Sequence, residues 1–331
     1  MAAPDDDARA TPENDAPKTD QPKSVRFMAG RVDVELWPRP ASASGRFCIV
    51  ARPHSMVRWK AVQTLRCPVA VCNTVLLSKL PLTSDETAAD LIAHIEGLRD
   101  AREIVFVGDS GGGYTAFAVG VALARQLPNR PVRAIAFNPP TQIWPPEDTR
   151  NHKSYLGLVE RASRQPGLLE RLEAEGDLTS WLRAGADTPG SDFRGLIVAS
   201  ALQRHDIRHA ERMIGQPGVS VVSFPNAQHS AFFWWLVMAP DASEAEIRDR
   251  IWHRIPSKFT AGQDPAALRN VPEHQERVER EFQAFRLFRK TLPTLASMLD
   301  WLNAGRGDRR FELSDLEEPA PEAAESASRT S

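Results

Sequence analysis

Cysteine is scarce in this 331-residue chain, with Cys48, Cys67 and Cys72 the whole complement. Three thiols set in apolar stretches (RFCIVA, RCPVAVCN) build no disulfide framework and read as small buried side chains of a reducing compartment. Cys67 and Cys72 have no second Cys pair beside them, so a zinc site is not expected. Long hydrophobic runs are missing too. The longest, Ala231–Ala239 (AFFWWLVMA), is less than half of the ~20 residues needed to span a bilayer. The acidic start MAAPDDDARATPEND has neither the basic flank nor the apolar stretch of a secretory signal, so a cytoplasmic location with no membrane span is expected. Nor is there an excess of charge of one sign. A formal net charge of -2, from 41 basic and 43 acidic residues, lacks the basic bias of a nucleic-acid-binding domain, and no such partner is expected.

What is present is the composition of a folded globular chain: 42% hydrophobic and 25% charged residues, with a mean hydropathy of -0.37. Residues 1–24 and 306–331 are rich in Pro, Ala and acids without apolar periodicity, and are expected to be acidic disordered tails. They leave a folded unit over 25–305 whose charge balance is basic. Inside it, short β-branched runs predict strands at Arg31–Trp37, Phe47–Ala51, Val69–Thr74, Ile104–Val107, Ala134–Phe137, Leu196–Ser200 and Val219–Phe224. Helical patterns between them predict Ser84–Arg99, Gly112–Gln126 and Asp206–Ile214. Such alternation implies an α/β fold with a mostly parallel central sheet and helices on both faces. The span between Asn138 and Phe193 is too long for a simple crossover, and predicts a helical cap insertion at about 141–192 over the carboxyl edge of the sheet. Residues 243–305 read as a C-terminal helical extension.

Chemistry concentrates in EIVFVGDSGGGYTAFAVGVALARQL, where Gly108, Ser110 and Gly112 occupy the fixed places of G-x-S-x-G. That spacing suits a sharp strand-to-helix turn which holds a nucleophile in a strained conformation at the sheet edge. Ser110 would then sit at a helix N-terminus, with the N–H of Gly111 as first oxyanion donor. Other readings of the same letters fit less well. A trypsin-like serine follows its His and Asp in the chain and has no long helix after it. A phosphate loop needs a lysine where Tyr114 stands. A dinucleotide turn built on Gly111, Gly113 and Ala116 lacks an acid after the next strand, which ends in Asn138-Pro139-Pro140. A glycine-rich turn serving packing alone is the remaining reading.

A nucleophile at Ser110 requires an acid and then a histidine after later strands, and both places are filled. Leu196–Ser200 leads to Asp206, and Val219–Phe224 leads to His229. His229 would be the general base and Asp206 the acid that fixes its tautomer. Asp206 also suits a helix N-cap, while His205 and Asp192 are the weaker substitutes for it. His205 and His209, spaced i and i+4, resemble half of a zinc helix without a third ligand, and no metal or cofactor is expected. A second oxyanion donor is sought in Ala51-Arg52-Pro53-His54, where Pro53 has no N–H and Arg52 is the choice. Phe232, Phe233, Trp234 and Trp235 read as core, with pocket lining the other use.

The elbow, the alternation of strands and helices and the order Ser110, Asp206, His229 resemble the α/β-hydrolase superfamily over about residues 30–240. Asp109-Ser110 with the following glycines looks like the GDSAGG elbow of the hormone-sensitive-lipase group, without that group's upstream glycines. Ala-Phe-Asn-Pro-Pro-Thr-Gln is similar to stretches in bacterial hydrolase-like proteins associated with surface glycans. The resemblance implies acyl transfer through an acyl-Ser110 from a small-molecule or glycan-linked carboxylic ester, to water or another hydroxyl. An acyltransferase and a non-catalytic binding protein of the same fold stay open, as does the oligomeric state.

Overall fold

The β-branched and aromatic runs of the sequence form strands, and the Ala- and Leu-rich stretches between them form helices, in a computed structural model. It describes residues 25–29, 32–37, 45–52, 69–73, 84–146, 153–229, 242–259, 268 and 271–317. The strands are β1 (Val25–Ala29), β2 (Val32–Trp37), β3 (Arg46–Arg52), β4 (Val69–Asn73) and β5 (Glu103–Asp109). They continue with β6 (Pro131–Phe137), β7 (Asp192–Ser200), β8 (Val219–Phe224) and β9 (Arg309–Arg310). All join one sheet in the order β1-β2-β4-β3-β5-β6-β7-β8-β9. β2 runs antiparallel to β1 and β4, and every other pairing is parallel.

Alternation along each central strand fills two cores, because successive side chains leave opposite faces. Ile104 and Phe106 of β5 face one core; Val105 and Val107 face the other. The first is covered by α1 (Ser84–His94), α2 (Gly111–Gln126), α3 (Lys153–Arg164), α4 (Pro166–Glu175), α5 (Leu178–Ala186) and α6 (Arg204–Glu211). The second is covered by α7 (Glu244–Phe259), α8 (Pro272–Thr291) and α9 (Leu295–Asn303), with Phe282, Phe288 and Met298 fully buried. The C-terminal helices are therefore one of the two layers flanking the sheet. Cys48 and Cys72 are buried in the strands, and burial, with Asp33 nearby, pushes the Cys72 thiol up to about 12. Cys67 lies outside the described residues.

Two boundaries differ most from the sequence reading. α1 stops at His94 rather than Arg99, and Gly97 beyond it has a φ of 82°. The tail expected to begin at 306 is corrected: Arg309–Arg310 pairs parallel to β8, and a 3₁₀ turn follows at Leu313–Leu316. The cause is a single ring. Phe311 is 3% exposed and stacks on Phe224 with centroids 4.8 Å apart, a placement that the polar composition around it conceals.

The helices between β6 and β7 are fastened to the first layer. Gly185 of α5 lies against Val121 of α2, and the carbonyl of Glu175, at the end of α4, accepts the Tyr114 hydroxyl. The Glu175 carboxylate accepts Ser84 N–H at 3.2 Å and Ser84 Oγ–H at 3.1 Å, satisfying the N-terminus of α1. Burial pushes the Glu175 carboxyl above its usual range; Ser84 and Arg171 pull it back, and Asp85 adds to the rise. The native state thus holds this proton more tightly than the unfolded chain does. Its contribution to stability is greatest at low pH and declines as pH rises from the ordinary glutamate value through the raised one. Glu175→Gln is expected to flatten that decline in thermal unfolding between about pH 4 and pH 8. Identical slopes for the two proteins would refute this.

Candidate active site

The parallel strands end at one edge, and the sequence-predicted site residues stand on it. β5 runs into α2 through Ser110, whose φ of 51° and ψ of -125° lie outside the regions that side-chain-bearing residues favour. The conformation costs about 1–3 kcal/mol and is held by hydrogen bonds on both sides. Ser110 N–H donates to Phe137 O at 2.8 Å, and Ser110 O accepts from Gly113 N–H at 2.8 Å and Tyr114 N–H at 3.2 Å. Its side chain makes no cap hydrogen bond, so the hydroxyl is not spent on the helix. Gly111 opens α2, where the helix dipole favours negative charge.

Gly108 explains the sharpness of the turn. A Cβ there would come within 2.7 Å of Gly113 N and closer still to the Gly112 carbonyl, so strand and helix approach only because the side chain is absent. Arg52 ends β3 beside Asn73 of β4. Ala51 is level with Gly108 across the β3–β5 ladder, so the backbone of Arg52 stands at the same edge, one residue further along. Pro53, His54 and Phe232–Trp235 lie outside the described residues.

Asp206 and His229 are brought together, their Oδ1 and Nδ1 atoms 2.7 Å apart. The carboxylate is 2% exposed and the imidazole 29%, a buried carboxylate behind a solvent-reachable ring. α6 begins at Arg204 with Gln203 as its cap residue, so Asp206 lies in the first turn and the N-cap reading does not apply. Asp192 stands at the start of β7, the end remote from this edge, and binds the Arg133 guanidinium through both oxygens at 3.0 and 3.3 Å.

The two histidines of the zinc-like spacing bond to one another. His209 Nδ1 accepts Thr141 N–H at 3.1 Å, which leaves the proton on Nε2 to donate to His205 Nε2 at 3.1 Å. Among the described residues no group of three His, Cys, Asp or Glu could hold a metal ion. No helix among them is long and apolar enough to cross a membrane.

Sequence reasoning passed over two residues at this edge, Asn138 and Ser200, both buried. Asn138 has a φ of 45°, and asparagine straight after a strand is one of the few residues that tolerate this region. That was the available signal.

The sheet order, the antiparallel second strand and the strand–Ser110–helix turn define an α/β-hydrolase fold. Among solved structures the chain is similar to carboxyl esterase 2 from the fungus Tuber melanosporum, at 13% identity over 71% of this chain and 86% of that one, TM-score 0.44. It is also similar to fungal esterases from Rhizomucor miehei (15%, 74% and 87%, TM-score 0.44) and to a thermophilic esterase from Thermogutta terrifontis (18%, 63% and 92%, TM-score 0.36). No family model matches the chain, and no curated protein matches it in sequence.

Proposed function

We propose that this chain is a cofactor-independent serine hydrolase of carboxylic esters, with Ser110 as nucleophile, His229 as general base and Asp206 as the orienting acid. The observation that carries the reading is the 2.7 Å pairing of His229 Nδ1 with the buried Asp206, at the sheet edge where the strained Ser110 turn stands. The carboxylate keeps the proton on Nδ1 and leaves the Nε2 lone pair for the serine hydroxyl. Ser110 Oγ attacks the ester carbonyl carbon while its proton passes to His229. The oxyanion is met by Gly111 N–H and, as second donor, the backbone N–H of Arg52. Collapse releases the alcohol with the proton from His229 and leaves acyl-Ser110. Water then attacks, its proton taken by His229; the acyl–Ser110 bond breaks, Ser110 Oγ takes the proton back from His229, and the free acid departs. The substrate is a small-molecule or glycan-linked ester.

Incubation with a fluorophosphonate probe and a panel of p-nitrophenyl acyl esters, with and without acceptor alcohols, tests this. Labelling at Ser110 and ester turnover are expected, both lost in His229→Ala. Faster p-nitrophenol release with an alcohol, giving a new ester, would make the protein an acyltransferase. Absence of labelling and turnover would leave a binding protein.

A further inference from the structure

His229 is carried by a stretch with no regular secondary structure, residues 225–229, between the end of β8 and the residues that follow. A general base must nevertheless be held to within about 0.5 Å of its productive position. We propose that Asn138, Ser200 and Glu281 are positioning residues for His229, each fixing one backbone group of the three-residue run Ala227–His229.

The hydrogen bonds divide the work among three elements. Asn138, just past β6, donates its Nδ2–H to His229 O. Ser200, the last residue of β7, donates its hydroxyl to Gln228 O at 2.9 Å. Glu281 of α8, on the opposite layer, accepts Ala227 N–H at 2.9 Å. The first two are locked to each other as well: Asn138 Oδ1 accepts Ser200 N–H at 2.7 Å, and Asn138 Nδ2 donates to Ser200 Oγ at 2.9 Å. Neither amide rotation nor hydroxyl rotation is free, so the two carbonyls of residues 228 and 229 are held in fixed relation to the strand ends.

Stability alone is a poor reason for these choices. Asn138 sits in the left-handed region, where a side chain costs free energy. Glu281 is 3% exposed and its Oε2 has no hydrogen-bond partner among the described residues, an acid buried at a cost that an apolar residue would not incur. Burial pushes its carboxyl above the usual range, with the Ala227 N–H and the nearby Arg280 and Arg277 pulling it back. What the three gain is a histidine backbone restrained from two strand ends of the sheet and from the C-terminal helical layer.

The inference rests on the triad reading, and its test separates the two. Asn138→Asp keeps the acceptor for Ser200 N–H and removes the donor to His229 O; Ser200→Ala removes one hydroxyl; Glu281→Ala removes the acceptor for Ala227. Each is expected to lower kcat on p-nitrophenyl acetate by about 10²-fold, the loss expected of a displacement near 1 Å, with KM within about threefold of the parent. Glu281→Gln, which keeps a carbonyl acceptor, is expected to recover at least tenfold of the Glu281→Ala loss. The second readout is the proton NMR resonance of His229 Nδ1–H, far downfield through its bond to Asp206, which is expected to shift or broaden in each variant. Should Asn138→Asp not fold, Ser200→Ala carries the same comparison. Folded variants with parental kcat and an unmoved Nδ1 proton would overturn the proposal. If the parent itself neither labels nor hydrolyses esters, the triad reading fails, and the Nδ1 resonance alone still decides the positioning.

Discussion

Replacing Ser110 with Ala is expected to abolish fluorophosphonate labelling and to lower kcat on p-nitrophenyl esters by about 10⁴- to 10⁶-fold. The size of the loss follows from the division of roles. In the proposed triad His229 and Asp206 act only through the serine oxygen, so removing it leaves them nothing to activate, and only the proposed oxyanion donors remain. The fold should survive the change. The Ser110 side chain caps nothing, and its backbone is held by Phe137 O and by the Gly113 and Tyr114 amides, none of which the substitution touches. Stability within about 0.5 kcal/mol of the parent is expected from thermal unfolding. Parental turnover in a folded Ser110→Ala protein would reduce the glycine-rich turn to a packing device and sink the hydrolase reading.

Gly108→Ala should be as damaging by a different route. The added Cβ meets backbone atoms of Gly112 and Gly113, which cannot rotate away as a flexible side chain would. Relief requires α2 to move off the strand, and α2 is buried along nearly all its length between Gly111 and Ala124. A cost above about 4 kcal/mol is expected, a large part of the 5–15 kcal/mol that typically separates folded from unfolded chains. Gly157→Ala is the matched control: it lies within α3 with nothing among the described residues within 4 Å of its would-be Cβ, and should stabilise by up to about 1 kcal/mol. Soluble yield and thermal midpoint measure both. A Gly108→Ala protein that melts like its parent would refute the account of the turn.

Local pattern reached far into this molecule. β8 stands at the limits its β-branched run predicts, Val219–Phe224, and the other predicted strands are displaced by only a few residues, because alternation and strand length are written in neighbouring side chains. The Ser110 turn was legible for the same reason, since glycines at fixed places report a backbone that must come close. β1 was missed: Val25 and Met28 are exposed at the sheet edge, so the strand lacks the alternation of a half-buried one. β9 was missed because two arginines are held there by the Phe311 ring rather than by any periodicity.

The sequence by itself determined an α/β chain with a glycine turn around Ser110, an acid and a histidine after later strands, and thiols buried in the sheet. Only the tertiary structure decided that Asp206 turns to His229 instead of capping its helix, and that the C-terminal helices form a full layer of the fold. It alone brought Asn138, Ser200 and Glu281 onto the histidine loop. Their bonds span 91, 28 and 54 residues. Contacts over such separations follow from the order in which strands assemble and from which layer covers each face, and no window of neighbouring residues encodes either.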